Sequence, residues 1–324
     1  MVPLIDISPL ETDTEAALQV AQDIGQACRT HGFFYIQGHN VDKGLQQDIE
    51  EVSRQFFVLP EEEKQAIRME LGGKAWRGFF SVGEELTSGM PDVKEGIYFG
   101  QELGASDPRV QNGLLLHGAN LFPDALPHMR FIVLAYMDAL TRVGHTLMKG
   151  IALSLGLSPS FFEQKYTRDP LTLFRIFHYP ATSHPKNQSG RWGVGEHTDY
   201  GVLTILKQDE TGGLQIKSKE SWIEAPPIPN TFVCNIGDML DRMTRGLYRS
   251  TPHRVKNVST QSRYSYPFFF DPNFDAEIHP IDTEEIRSFQ GGATKRWDHK
   301  DLDTLKGTYG EYILGKVAKV FPNL

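Results

Sequence analysis

The pieces TLFRIFHY (172–179), VLTILK (202–207), LQIK (214–217), WIEA (222–225), TFVCNI (231–236), RVKNV (254–258) and RYSYPFFF (263–270) decide the fold. Each is short, rich in β-branched and aromatic residues, and bounded by turn residues, which is the pattern of strands. Gly212-Gly213 marks a tight connection, and Pro226, Pro227 and Pro229 keep their stretch out of a central strand. About seven short strands within about one hundred residues predict a small barrel or jelly roll.

Around this centre the chain is mostly helical. Pro3 to Ile7 alternates like a strand, and Asp13 or Thr14 caps a helix predicted to run to Thr30 with Ala17, Val20, Ile24 and Cys28 on one face. Phe33 to Gln37 is a predicted strand. Further helices are predicted from Val41 to Phe57 and from Pro60 to Ile67, where Pro60 suits a first helical position. Residues 70–120 are glycine-rich and read as loops with short pieces of structure. A long helical pattern covers Asp124 to Leu155, with Phe131, Leu134, Met137, Leu140, Val143, Leu147, Ile151 and Leu155 as its apolar stripe. Asp124 is its candidate cap, and His128 and His145 are expected to pack in the core beside it. Asp301 to Phe321 returns to helix. The whole reads as one α+β unit.

The chain has 324 residues and a formal net charge of −8, with no basic run, so nucleic acid and anionic membrane are not expected partners. The first fifteen residues are acidic and lack the pattern of a secretory signal. No apolar run is long enough for a membrane span. Two cysteines far apart, Cys28 and Cys234, fit a reduced cytoplasmic protein with buried thiols. Oligomeric state is not addressed by any motif.

His197 and Asp199 lie in GEHTDYG (195–201), a spacing that on a strand puts both side chains on one face. His253, in STPHRV (250–255), is the best candidate for a second imidazole. Two histidines and one carboxylate form the facial triad of non-haem iron(II) oxygenases, which leaves positions open for O2 and a substrate or cosubstrate. Zinc hydrolases use similar sets, so the triad alone leaves the metal open. Arg263 and Ser265 share a strand face and offer a fork plus a hydroxyl for a carboxylate.

Taken together, HTDYGVLTIL (197–206), GGLQI (212–216), NIGDML (235–240), TPHRV (251–255) and RYSYPFFFDP (263–272) resemble the iron(II)/2-oxoglutarate-dependent dioxygenases of the isopenicillin N synthase-like family. VPLIDIS (2–8), HGFFYIQGHNV (31–41) and the long central helix resemble that family's N-terminal region, so the resemblance covers nearly the whole chain. It implies a double-stranded β-helix (jelly-roll) core at 165–290, an N-terminal helical/strand scaffold at 1–160 and a C-terminal helical segment at 291–324. It implies Fe(II) on His197, Asp199 and His253, 2-oxoglutarate on Arg263, Ser265 and Tyr179, and O2 as second cosubstrate. Phe177 departs from the asparagine of many plant members. His178, between Phe177 and Tyr179, is expected to face away and to be structural. The presence of Asp199 sets the chain apart from iron halogenases, which lack this carboxylate.

The implied activity is oxidation of a small organic metabolite by hydroxylation, desaturation or ring closure, with 2-oxoglutarate converted to succinate and CO2. Two alternatives stand beside it. One is a 2-oxoglutarate-independent iron oxidase of the same fold, of the isopenicillin N synthase kind or using ascorbate. The other is a non-catalytic binding module or a zinc hydrolase. Phe79, Tyr98, Phe99, Phe177 and Phe270 are the candidate wall of the substrate pocket. RGFFSVGEE (77–85) and DVKEGIYFG (92–100) resemble microbial members more than plant hormone enzymes, and small, partly apolar molecules such as specialised metabolites would suit an aromatic-lined cavity.

Overall fold

The computed structural model describes residues 1–12, 14–87, 89–181, 192–218, 221–256, 260–289 and 307–320. Asp13, residues 257–258 of one expected strand, and residues 301–306 and Phe321 of the expected last helix lie outside the described residues. The strands are β1 (Leu4–Asp6), β2 (Phe33–Gln37), β3 (Gly78–Phe80), β4 (Leu86–Thr87), β5 (Met90–Pro91), β6 (Glu95–Gly100), β7 (Leu171–Tyr179), β8 (Val194–His197), β9 (Leu203–Gln208), β10 (Leu214–Lys217), β11 (Trp222–Glu224), β12 (Phe232–Ile236), β13 (His253–Val255) and β14 (Arg263–Asp271). The helices are α1 (Glu15–Thr30), α2 (Lys43–Phe57), α3 (Glu61–Gln65), α4 (Pro108–Gln111), α5 (Met129–Ser154), α6 (Phe161–Lys165), α7 (Asp238–Met243), α8 (Glu284–Ser288) and α9 (Tyr309–Val320).

Two sheets face each other. The larger runs β1-β2-β12-β9-β14-β7-β6-β3 and the smaller β11-β10-β13-β8. All pairings are antiparallel except β1 with β2. This is the jelly-roll core, and the N-terminal region is more than a helical scaffold. It supplies β1, β2, β3 and β6 to the larger sheet, so the 70–120 stretch expected as loops contributes an internal strand, β6, paired to both β7 and β3.

The larger sheet is buried on both faces, and strand parity sorts its side chains. One face packs on α1, α2 and α5 through residues such as Phe34, Phe174, Ile205, Cys234, Phe268 and Phe270. The other face looks across to the smaller sheet through Phe33, Tyr35, Phe177, Tyr179 and Val233.

Local chemistry sets the helix ends. Asp42 accepts a hydrogen bond from the Leu45 amide, so α2 starts at Lys43 rather than Val41. Pro60 takes the N-cap position of a single-turn α3 rather than its first helical position. The long helix α5 starts at Met129, five residues later than expected: Pro127 disfavours helical backbone at Leu126, and Asp124 caps nothing there. Phe131 is 79% exposed, outside the buried stripe, and His128 is exposed too. His145 does pack inward, edge-on to Phe270.

Candidate functional site

A cavity of about 520 Å³ lies between the two sheets. His197 ends β8 and His253 begins β13, and these two residues are directly paired across the smaller sheet. Asp199 lies two residues past the end of β8, not on it. The expected alternation therefore does not explain its direction; its own hydrogen bonds do. Asp199 Oδ2 accepts from Thr204 Oγ1 at 2.6 Å and from Asn235 Nδ2 at 2.8 Å. That leaves Oδ1 turned to both imidazoles, 3.7 Å from His197 Nε2 and 3.7 Å from His253 Nε2. The three candidate ligand atoms lie within 4.8 Å of one another.

Each ring is also held from behind. The Nδ1 of His197 lies 2.8 Å from the Gly195 carbonyl, and that of His253 3.2 Å from the Thr251 carbonyl. A carbonyl only accepts, so each Nδ1 carries the proton and each Nε2 presents a lone pair to the cavity. Burial raises the proton affinity of Asp199, but the nearby imidazoles and the donors Asn235 and Thr204 outweigh it and hold the carboxyl below its usual range. Burial, with His197 beside it, pushes His253 down to about 4. Two imidazoles, each presenting Nε2, and a carboxylate converge here, a donor set suited to a divalent cation such as iron(II).

Across the cavity, β14 sends Arg263, Ser265, Pro267, Phe269 and Asp271 inward, and β7 sends Leu173, Arg175, Phe177 and Tyr179. Arg263 pairs in register with Tyr179, and Ser265 Oγ lies 3.4 Å from Tyr179 Oη. Arg263 is 1% exposed, and its guanidinium stands over the Tyr179 ring at 4.6 Å. Its Nε donates to the Gly212 carbonyl at 2.6 Å, while Nη1 and Nη2 are buried without a partner among the described residues. A buried fork with two idle donors costs free energy unless an acceptor fills it.

The pocket residues expected from sequence divide by parity. Phe177 lines the cavity. Phe270 does not: it faces α5, its ring against Gly144 and His145, and its neighbour Phe269 takes the wall. Phe79 and Phe99 also turn to the helix side, Phe99 stacking on Phe122 and Phe174. Tyr98 backs the wall without lining it, donating its hydroxyl to Glu85 Oε1 at 2.5 Å. His178 points away from the cavity to Glu95, 2.7 Å from Nδ1.

Sequence reasoning missed several residues. Thr204 and Asn235 orient Asp199, and Asn235 opens the NIGDML segment already noted. Glu85, Lys94 and Arg175 form a charged patch on the cavity wall, and Lys94 bridges Asp92 and Glu85, the latter at 2.9 Å. Burial would raise the Glu85 carboxyl, but Lys94 and Arg175 hold it below its usual range. Parity from Tyr179 would have placed Arg175 on the inward face. From α9, Ile313 and Lys316 reach the cavity, a tertiary contact with no local signal.

Two family models match the chain: residues 2–125 match the non-haem dioxygenase in morphine synthesis N-terminal family, and residues 170–272 match the 2OG-Fe(II) oxygenase superfamily. A probable iron/ascorbate oxidoreductase of Dictyostelium discoideum is 49% identical, with 100% of this chain and 95% of that protein covered. A 1-aminocyclopropane-1-carboxylate oxidase of Dictyostelium mucoroides is 38% identical, covering 99% and 95%. Among solved structures, a full-length Neurospora crassa protein in complex with alpha-KG superposes with a TM-score of 0.81 at 28% identity, covering 98% of this chain and 96% of that one.

Proposed function

The chain belongs to the 2OG-Fe(II) oxygenase superfamily, and from that premise we propose that His197, Asp199 and His253 hold the iron and that Arg263, Ser265 and Tyr179 hold 2-oxoglutarate. The protein is an oxidoreductase that uses Fe(II), 2-oxoglutarate and O2 to oxidise a small metabolite. The observation that carries the residue assignment is the pairing of two half-built receptors in one cavity. One is a carboxylate oxygen facing two imidazole lone pairs; the other is a buried arginine with both terminal nitrogens idle.

Bound iron with 2-oxoglutarate and O2 supplies the oxidising power, and 2-oxoglutarate leaves as succinate and CO2. The chain supplies geometry. Thr204 and Asn235 keep Asp199 Oδ2 occupied so that Oδ1 faces the metal position. The Gly195 and Thr251 carbonyls fix the imidazole tautomers. Arg263 and Ser265 take the distal carboxylate, and the Tyr179 hydroxyl completes that end. Phe33, Phe177, Leu206 and Phe269 line the cavity with apolar surface and keep water from the reacting centre.

Within this reading, 1–160, 165–290 and 291–324 serve as scaffold, catalytic core and C-terminal helical segment, and Ile313 and Lys316 of α9 line the cavity. Two free buried cysteines support a reducing, cytoplasmic setting. Among the described residues no helix is long and apolar enough to cross a membrane. A role in specialised metabolism accords with an aromatic-walled cavity of this size.

The test is anaerobic titration of 2-oxoglutarate into the Fe(II)-loaded protein, followed by visible absorption. A saturable charge-transfer band is expected. Iron binding without any band would shift the reading to the oxidase that uses ascorbate or the substrate's own electrons.

A further inference from the structure

One cavity arginine has no role in the reading above. Arg175 lies on β7, four residues before Tyr179 and on the same face, which puts it about 13 Å further along the strand at roughly 3.3 Å per residue. Arg263 therefore serves one end of the cavity and Arg175 another stretch of the same wall.

Its surroundings hold it in one place without satisfying it. The guanidinium stands 4.1 Å from the Tyr98 ring centroid and 4.8 Å from that of Phe269. The side chain is 18% exposed, and it lines the cavity. Among the described residues its one close anion is Glu85, with Oε1 at 3.5 Å from Nη1, longer than a good charge-assisted bond. Among the described residues it donates no hydrogen bond to the protein, and Nε is buried without a partner. A guanidinium carries five N–H donors.

Two other buried cations, Arg77 and Lys94, have their terminal nitrogens satisfied within the protein, although the Nε of Arg77, like that of Arg175, has no partner among the described residues. Arg77, also deeply buried, gives its terminal nitrogens to the Gln101, Leu116 and Gly118 carbonyls and to Asn120. Lys94, on the same wall as Arg175, is bracketed by Asp92 and Glu85. The Glu85 carboxylate is itself divided between Lys94, Tyr98 and Arg175. Arg175 is thus the cation of this patch with donors to spare, lying against the rings of Tyr98 and Phe269.

Resting on the proposed function, we infer that Arg175 anchors the substrate, taking an sp² oxygen of a carboxylate or carboxamide into its fork. Phe177, Phe269 and Tyr200 line the same cavity and suit a flat or apolar body attached to that group. The substrate class is then a small molecule with an acid or amide oxygen at one end and the oxidised carbon beyond it, towards the triad. Arg175 determines specificity; it is not part of the cosubstrate site.

The experiment uses the full-length protein loaded anaerobically with Fe(II) and 2-oxoglutarate, and three probes of one shape: phenylacetate, phenylacetamide and 2-phenylethanol. Binding is followed by ligand-observed NMR in wild type, Arg175→Leu and Arg175→Lys. Wild type is expected to bind the acid or the amide at least tenfold more tightly than the alcohol. Arg175→Leu should erase that preference while the 2-oxoglutarate midpoint stays within twofold of wild type, which also reports an intact fold. Arg175→Lys keeps the charge and loses the fork, so it should retain part of the preference for the acid and none for the amide. Strong preference for the acid identifies a carboxylate substrate; equal binding of acid and amide identifies a carbonyl acceptor. Equal affinity for all three probes in wild type, binding of none of them, or a preference that survives Arg175→Leu overturns the inference. Absence of the 2-oxoglutarate band in wild type would instead overturn the proposed function, and the probe series would still report on Arg175.

Discussion

Asn235 Nδ2 donates to Asp199 Oδ2 at 2.8 Å, from a strand of the larger sheet to a loop that follows a strand of the smaller one. With Thr204 it fixes which carboxylate oxygen faces the imidazoles. Outer partners of this kind are worth about 10–100-fold in metal affinity. Asn235→Leu, close in volume, should weaken Fe(II) binding by about tenfold or more, and Thr204→Val should act in the same direction. Metal titration of the anaerobic protein reads both. Unchanged affinity in the two variants would mean that Asp199 is oriented by something else.

Arg263→Leu removes the fork that the cavity leaves idle. Losing one partner of a desolvated charge-assisted pair costs about 2–5 kcal/mol, so the 2-oxoglutarate midpoint should rise at least thirtyfold. Fe(II) affinity should hardly change, because Arg263 touches none of the three candidate ligands. A midpoint within threefold of wild type would place the cosubstrate carboxylate elsewhere.

The sites differ in how far the sequence reveals them, and strand parity explains much of the difference. Arg263 and Ser265 establish that odd-numbered positions of β14 face inward, which selects Phe269 and sends Phe270 to the helices. The aromatic run 268–270 hides this, since all three residues are equally apolar. The same parity from Tyr179 selects Phe177 and Arg175. The His197–Asp199 motif was legible as a pair, but the direction of Asp199 depends on Asn235, 36 residues away. β6 was not legible because its core, Ile97 to Phe99, is flanked by glycines and alternates on no open face; it is internal and buried on both sides. The jelly roll itself was readable because seven of its strands are separated by strong turn residues.

Gly144 on α5 packs directly against the sheet. A Cβ built there would stand 2.4 Å from Cδ2 of Phe270, which is fully buried. Helix propensity favours Ala over Gly by about 1 kcal/mol, but overpacking a closed core costs about 1–3 kcal/mol. Gly144→Ala is expected to lower thermal stability, and Gly144→Val to lower it further, while the 2-oxoglutarate midpoint stays near wild type. A rise in melting temperature for Gly144→Ala would show that Phe270 has room to move.

Asp271 gives the fold a pH dependence with a definite sign. Its carboxyl is buried at the end of β14 against Gly201, where a Cβ would collide with Oδ1, and its Oδ2 accepts the Tyr309 hydroxyl of α9 at 2.5 Å. Burial, with Asp199 nearby and the Tyr309 hydroxyl offsetting only part, pushes it up to about 7 from 3.8. The folded state thus holds this proton more tightly than the unfolded chain does. The associated stability is fully present below about pH 4 and is lost as pH rises through about 7. Asp271→Asn keeps the size and removes the titration. Relative to wild type, the metal-free variant should gain stability on the order of 2 kcal/mol between pH 5 and pH 7.5. Urea denaturation of both proteins at the two pH values measures the difference, and the other ionisable groups, common to both, largely cancel. Parallel pH profiles for the two proteins would mean that Asp271 is ionised in the folded state throughout this range, with its charge stabilised across the contact between β14 and α9.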